Sequence, residues 1–195
     1  MSGREENGMK KTDARVRYTE HILKESFIKL LAKKPINKIT VKEVCEMAEI
    51  NRSTFYAHYS DCFALMEAIE DEILSDFEKA LSGIEASNLN AVIAGIYEMV
   101  DNNEKACRTL ILNGSSTTIL DKMIENAKDR SIVAWKKRMP KATDAELEML
   151  YTHLSNGLMH VVVQGYDKYS REEVAEFVNK MVRGSLMELR EGICG

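Results

Sequence analysis

Residues 40–59 read Thr40-Val41-Lys42-Glu43-Val44-Cys45-Glu46-Met47-Ala48-Glu49-Ile50-Asn51-Arg52-Ser53-Thr54-Phe55-Tyr56-Ala57-His58-Tyr59. Two helix starts are written into this stretch. Thr40 and Glu43 form a Thr-x-x-Glu capping box, and Ile39 before the cap with Val44 four positions after it makes a hydrophobic staple. These signals outweigh a strand reading of Ile39-Thr40-Val41. The predicted helix runs from Val41 to about Ala48 and breaks at Glu49-Ile50. A second, short helix capped by Asn51 then carries through Tyr59.

Working outward, apolar residues upstream fall at Ile22, Leu23, Phe27, Leu30 and Leu31, one helical face that starts at Thr19 as N-cap and ends at Lys33-Lys34-Pro35. Residues 1–18 are polar and aperiodic and contain Lys10, Lys11, Arg15 and Arg17, the composition of a flexible basic arm. Downstream, Ser60-Asp61 opens a helix with Leu65, Ile69, Ile73, Phe77 and Leu81 on its stripe, stopped by Ser82-Gly83. Further helices are expected over roughly 89–100, 104–112 and 117–139, the last closed by Pro140. Thr143-x-x-Glu146 and Ser170-x-x-Glu173 are two more capping boxes, each ahead of an apolar stripe. One stripe is Leu147, Leu150, Leu154, Leu158 and Val161; the other is Val174, Phe177, Val178, Met181, Val182, Leu186 and Leu189. Prolines occur only at positions 35 and 140, and alternation of strand length is absent, so the predicted class is all-α.

The chain has 195 residues, 45% hydrophobic and 30% charged, ordinary material for a globular core. It opens on charged residues, and the apolar run around Val161-Val162-Val163 is broken by His160, so no membrane partner is expected and the cytoplasm is the expected location. Cysteines at 45, 62, 107 and 194 have no Cys-x-x-Cys spacing, which argues against a zinc site or disulfide framework and for reduced, mostly buried thiols. His153 and His160 are seven apart with no third ligand at metal spacing, so no metal is expected. No phosphate loop, nucleophile with a base, or paired-acid motif is present, so no enzyme activity and no cofactor are expected. Net charge is −4 overall, but residues 1–60 hold 12 Lys+Arg against 8 Asp+Glu, leaving 15 against 23 for the rest. A basic front on an acidic body directs only the front to a polyanion.

Two helices joined by a tight turn, the second short and beginning with small polar and basic side chains, make a helix-turn-helix reader of double-stranded DNA. A helix in the major groove touches base edges through its N-terminal residues. Arg52 can pair bidentately with guanine, and Ser53 and Thr54 can bond either base type. Tyr56 and His58 lie a turn later, within reach of phosphate oxygens.

Residues 19–66 resemble the TetR family of bacterial regulators, through Ile39-Thr40, Val44, Ala48, Ile50-Asn51 and the run Ser53-Thr54-Phe55-Tyr56-Ala57-His58-Tyr59 followed by Asp61 and Leu65. The resemblance implies that Thr40 contacts phosphate, that the first half of the 51–59 helix reads bases, that Tyr56 and His58 clamp the backbone, and that Phe55 and Tyr59 face inward. Two positions depart from the family pattern. Cys62 stands where relatives carry a phosphate-anchoring lysine, leaving the backbone amides at that helix start as the anion site. Glu49 replaces the turn glycine and must adopt a left-handed conformation at a cost of about 1 kcal/mol.

The resemblance further implies a domain order: the 1–18 arm, a helix-turn-helix domain at 19–61, and a helical ligand-binding and dimerisation domain at 62–195. Helices about 144–165 and 170–190 would form the homodimer, with Ser155, Gly157 and Gly184-Ser185 allowing close approach or else serving packing within the chain. Asp167-Lys168-Tyr169-Ser170 is similar to a Firmicutes-type subgroup. Tyr97, Met99, Met123, Trp135, Tyr151 and His153 are the residue types that would line a pocket for a small-molecule inducer. The expected function is a ligand-responsive repressor binding a palindromic operator as a dimer. The alternative is a TetR-like regulator acting mainly through a protein partner, suggested by Cys62 and Glu49.

Overall fold

The computed structural model describes the backbone of residues 2–85, 88–112 and 118–191 and the side chains of 14–84, 88–112 and 118–187. Among these residues there is no strand, as the spacing of apolar positions requires. The chain divides into two compact units, residues 1–71 and 72–195.

In the first unit, α1 (Ser2–Leu31), α2 (Val41–Ala48) and α3 (Arg52–His58) are followed by the start of α4 (Cys62–Ala80). Helix α1 begins at Ser2 and not at Thr19. Thr19 is no cap: its hydroxyl donates to the Arg15 carbonyl at 2.9 Å within the helix. No proline precedes Pro35, and Glu, Lys and Arg are strong helix formers, so the backbone of residues 2–18 continues the helix outward. The side chains of Lys10 and Lys11 lie outside the described residues.

Thr40 caps α2 as its sequence predicts. Its hydroxyl accepts the Glu43 amide at 3.3 Å and donates to the Glu43 carboxylate at 2.9 Å, while the carboxylate also accepts the Thr40 amide at 3.0 Å. The staple residues Ile39 and Val44 are both buried. Leu23 and Phe27 from α1, Val44 from α2, Phe55 from α3 and Leu65 from α4 are wholly buried. Each such side chain contributes about 1.5–3 kcal/mol by leaving water, so this small unit rests on a handful of residues.

The second unit holds the rest of α4, then α5 (Ser82–Glu85), α6 (Leu89–Asn102), α7 (Glu104–Cys107), α8 (Thr118–Arg138), α9 (Asp144–Gly165) and α10 (Arg171–Glu191). Ser82-Gly83 ends α4 but opens the one-turn α5. The helix expected over 104–112 changes after Cys107 into a π-turn, Arg108–Leu112. The residue predicted to open α8, Thr117, lies outside the described residues. Both C-terminal capping boxes are formed, at Thr143/Glu146 and Ser170/Glu173.

Helix α8 packs on α9, and α10 packs on α6 and α9. Ile93, Leu154, Val162, Val174, Val178 and Val182 form the apolar cluster among them. At its rim Arg108 donates to both Asp167 oxygens at 3.1 Å, and Arg171 donates to Asp101 at 2.7 Å. The guanidinium of Arg171 also lies 4.8 Å from the centre of the Tyr97 ring, which stacks on Tyr166 at 5.9 Å. Cys45, Cys62 and Cys107 are buried free thiols; Cys194 lies outside the described residues. No described helix is long and apolar enough to cross a membrane.

Candidate nucleic-acid interface and ligand cavity

The turn between α2 and α3 is made by Glu49, the one non-glycine residue with positive φ among the described residues (φ 56°, ψ 36°). Its amide closes α2 by bonding to the Cys45 and Glu46 carbonyls. A non-glycine side chain there carries the strain expected from the sequence, and the left-handed residue still joins the end of α2 to the start of α3.

Asn51 then starts α3. Its side-chain carbonyl accepts the Thr54 amide at 2.8 Å, the Thr54 hydroxyl at 3.0 Å and the Ser53 hydroxyl at 2.5 Å. The cap therefore fixes the two hydroxyls as well as the helix. With their protons committed to Asn51, Ser53 and Thr54 offer lone pairs outward, the groups that accept from adenine N6 or cytosine N4 amines. Arg52 is exposed beside them, and no ion pair holds it among the described residues.

Phe55 is 0% exposed and Tyr59 is buried, so one face of α3 is anchored inward as predicted. Tyr56, on the other face, is 57% exposed, its ring edge-on to Phe55 at 5.6 Å. Thr40 is exposed with its hydroxyl engaged in the capping box. His58 sits differently. Its side chain is 13% exposed and Nδ1 lies 3.3 Å from Glu20 Oε1 of α1, so a phosphate must compete with that carboxylate. Lys34 donates to Glu43 at 2.6 Å and, with Thr40, holds the Glu43 carboxyl at about 2, well below its ordinary 4.5.

The start of α4 departs from the expectation of vacant amides. Asp61 Oδ1 accepts the Phe63 amide at 2.8 Å and the Ala64 amide at 2.9 Å, so the carboxylate already fills the place where a phosphate would bind. Cys62 is 5% exposed, and burial pushes its thiol up to about 11. It is a core residue, and the lysine of the family pattern has no counterpart in this turn.

The second unit contains a cavity of about 180 Å³ bounded by residues of α4, α5, α6, α8, α9 and α10. It brings together Met123, Trp135 and Tyr151 of the residues predicted to meet an inducer. The other three lie elsewhere. Tyr97 is buried in the stacked cluster with Tyr166 and Arg171, Met99 borders a separate void of about 20 Å³, and His153 is exposed on α9 beside Glu148 and Met149.

Periodicity along one helix does not say which faces of several helices meet, so Phe77, Leu158, Ser155 and Arg138 were not predicted as pocket residues although all border the cavity. A weak signal existed for Ser155, four residues after Tyr151 and therefore on the same face. The Tyr151 hydroxyl donates to the Ile124 carbonyl, and burial pushes this phenol up to about 12. The Ser155 hydroxyl is shielded and has no well-formed hydrogen bond among the described residues, although it lies near enough to the Tyr151 hydroxyl to offset part of that rise.

With both units described, the architecture can be matched to known proteins. A TetR transcriptional regulator from Streptococcus agalactiae superposes with a TM-score of 0.66 at 20% identity, over 88% of this chain and 97% of its own. This is the TetR fold. A TetR-like transcriptional regulator from Rhodococcus superposes with a TM-score of 0.61 at 16% identity, over 87% of this chain and 96% of its own. Over 59 residues the sequence is 34% identical to the HTH-type transcriptional regulator YxbF of Bacillus subtilis. That stretch is 30% of this chain, which spans 16% of the length of this curated relative. No family model matches the sequence. In TetR-fold terms, α2 and α3 are the helix-turn-helix and the helices from α5 onward form the body.

Proposed function

We propose that this TetR-fold chain is a homodimeric transcriptional repressor that binds a palindromic operator and is released by a small molecule held in its second unit. The observation that carries the reading is the outward edge of α3. Arg52, Ser53 and Thr54 are presented there by an Asn51 cap and an inward Phe55, the side-chain set a major-groove reader needs. Tyr56, and Thr40 at the start of α2, supply phosphate contacts on either side. Glu49 supports the DNA reading, because it takes up the left-handed turn and leaves the two helices in place.

Dimerisation through α9 and α10 is supported by what their outer faces expose. Phe177 and Met181 on α10 and Met149 on α9 are exposed apolar side chains. Gly157 and Gly184 have open space where a side chain would start, so they are not spent on packing within the chain. Two such helix pairs can approach closely as a four-helix interface. A dimer must hold its reading helices about 34 Å apart to enter successive major grooves. Phe77, near the end of α4, borders the cavity, so a ligand there bears on the helix that begins at Cys62.

The test is a binding titration of ligand-free protein against palindromes from its own upstream region at several salt concentrations. We expect a specific site and a linear fall of log affinity with log salt. Binding no tighter than to random DNA ends the proposal.

A further inference from the structure

The cavity of the second unit is nearly all hydrocarbon, with walls such as Leu81, Ile93, Leu154, Leu158 and Val178. The polar side chains at its edge are mostly occupied. Ser131 donates to the Ala127 carbonyl at 2.8 Å, Tyr151 donates to Ile124, and Asn88 accepts the Ala91 amide at 3.2 Å as the cap of α6. Of the hydroxyls at its edge, only that of Ser155 lacks a well-formed partner among the described residues. No carboxylate lines the cavity among the described residues.

Arg138, the last residue of α8, is the one charged lining group of the cavity among the described residues, and it is exposed. A surface depression shares Arg138 and Leu186 with the cavity and adds Arg183 of α10, with Met139 and Met187. Neither arginine is in an ion pair among the described residues, although residues 61–195 carry 23 acidic against 15 basic side chains. Arg108 and Arg171 of this unit are matched to carboxylates, at Asp167 and Asp101, whereas Arg130, which does not border the cavity, has no ion pair among the described residues. Two arginines without an ion pair among the described residues, at the edge of an apolar cavity, describe a ligand with an anionic end and a hydrocarbon body.

We propose that the cavity takes an amphiphile of the long-chain carboxylate class, its chain among the α6, α8, α9 and α10 side chains and its head group at Arg138 and Arg183. The carboxylate takes the charge-assisted hydrogen bonds a planar guanidinium offers. The apolar wall takes the chain and gives a cation nothing to offset its desolvation. This inference rests on the reading of the cavity as the regulatory ligand site and adds the chemical class.

The chain has a single tryptophan, Trp135, and it lines the cavity, so its emission reports occupancy. The intact protein is titrated with dodecanoate, dodecanol and dodecyltrimethylammonium, each below its micelle-forming concentration. Dodecanoate should saturate the signal with an affinity at least about tenfold above dodecanol, and the ammonium compound should bind more weakly than either. Replacing both arginines (Arg138→Ala with Arg183→Ala) should erase the preference for the anion and leave dodecanol binding in place. The Lys pair (Arg138→Lys with Arg183→Lys) should keep most of it, which guards against a folding defect in the alanine variant.

Equal affinity for the three probes, tighter binding of the ammonium compound, no response to any of them, or an anion preference that survives the alanine pair overturns the proposal. Operator binding measured in the same samples separates the two readings. If dodecanoate binds but operator affinity does not change, the ligand class stands and the regulatory role fails. If an uncharged or cationic apolar compound fills the cavity and releases the operator, the regulatory role stands and this proposal fails.

Discussion

The Asn51 side-chain carbonyl accepts the Thr54 amide at 2.8 Å while also accepting both the Ser53 and Thr54 hydroxyls. One side chain thus caps α3 and orients two of its outward groups. Asn51→Ala should cost about 1 kcal/mol of stability, the usual cost of a lost N-cap. It should also reduce operator affinity beyond that of an equally destabilised core variant, because the two hydroxyls lose their common acceptor. Thermal melts alongside DNA titrations check this; an unchanged affinity at matched folded fraction would separate the cap from readout.

Arg52 and Tyr56 should fail in different ways. Arg52→Ala is expected to cost about 1–3 kcal/mol on the best operator and to relax preference at one base position. Tyr56→Phe should weaken binding to all sequences alike, as loss of a phosphate contact does. Competition against a randomised half-site library distinguishes the two patterns.

Gly95 and Gly157 predict opposite signs for the same substitution. A Cβ at Gly95 in α6 would meet the Cβ of Ala80 at 2.7 Å and its Cα at 2.8 Å, so Gly95→Ala must push two helices apart and should destabilise by about 1–3 kcal/mol. A Cβ at Gly157 in α9 meets nothing within 4 Å, so Gly157→Ala should stabilise the isolated chain by about 0.5–1 kcal/mol through helix propensity. If α9 faces a second copy, a larger residue at Gly157 should shift the molecule toward monomer. Chemical denaturation and sedimentation velocity read the two effects separately.

The Glu43 carboxyl, held at about 2 chiefly by Lys34 and then Thr40, favours the ionised form in the folded protein. Its contribution is complete above about pH 4.5 and is lost as pH falls through about 2. Acid should therefore loosen the first unit over this window, and Glu43→Gln should flatten the dependence there. Urea midpoints measured from neutral to acid pH test it; a Gln variant with the native slope would contradict it.

Cys62 and Cys107 should resist alkylation in the native protein. Both are buried, and burial pushes their thiols up to about 11 and about 12. Peptide mapping after iodoacetamide treatment should find them modified only once denaturant is present.

Much of the reading head was legible because its signals are local. A capping box, a staple and an Asn cap each depend on residues within four positions of one another, and those distances are fixed by helix geometry before any tertiary contact forms. The inward turn of Phe55 and Tyr59 was implied by the family resemblance, and their four-residue spacing puts both on one helical face. The extent of α1 was less legible: residues 1–18 lack an apolar stripe, but a helix of good formers needs none once a neighbouring segment has nucleated it.

The contacts of His58, Asp61 and the cavity residues belonged to tertiary structure. Nothing in the sequence around His58 announces Glu20, thirty-eight residues earlier, and the family pattern concealed that Asp61 already occupies the amides at the start of α4. Sequence placed Met123, Trp135, Tyr151, Tyr97, Met99 and His153 on helices but not on a common wall. Only the packing of α8, α9 and α10 decided that the first three share a cavity edged by Arg138 while the others face elsewhere. The division is physical: the sequence by itself determined the features whose partners lie within one helical turn, and the tertiary structure decided those whose partners come from another helix.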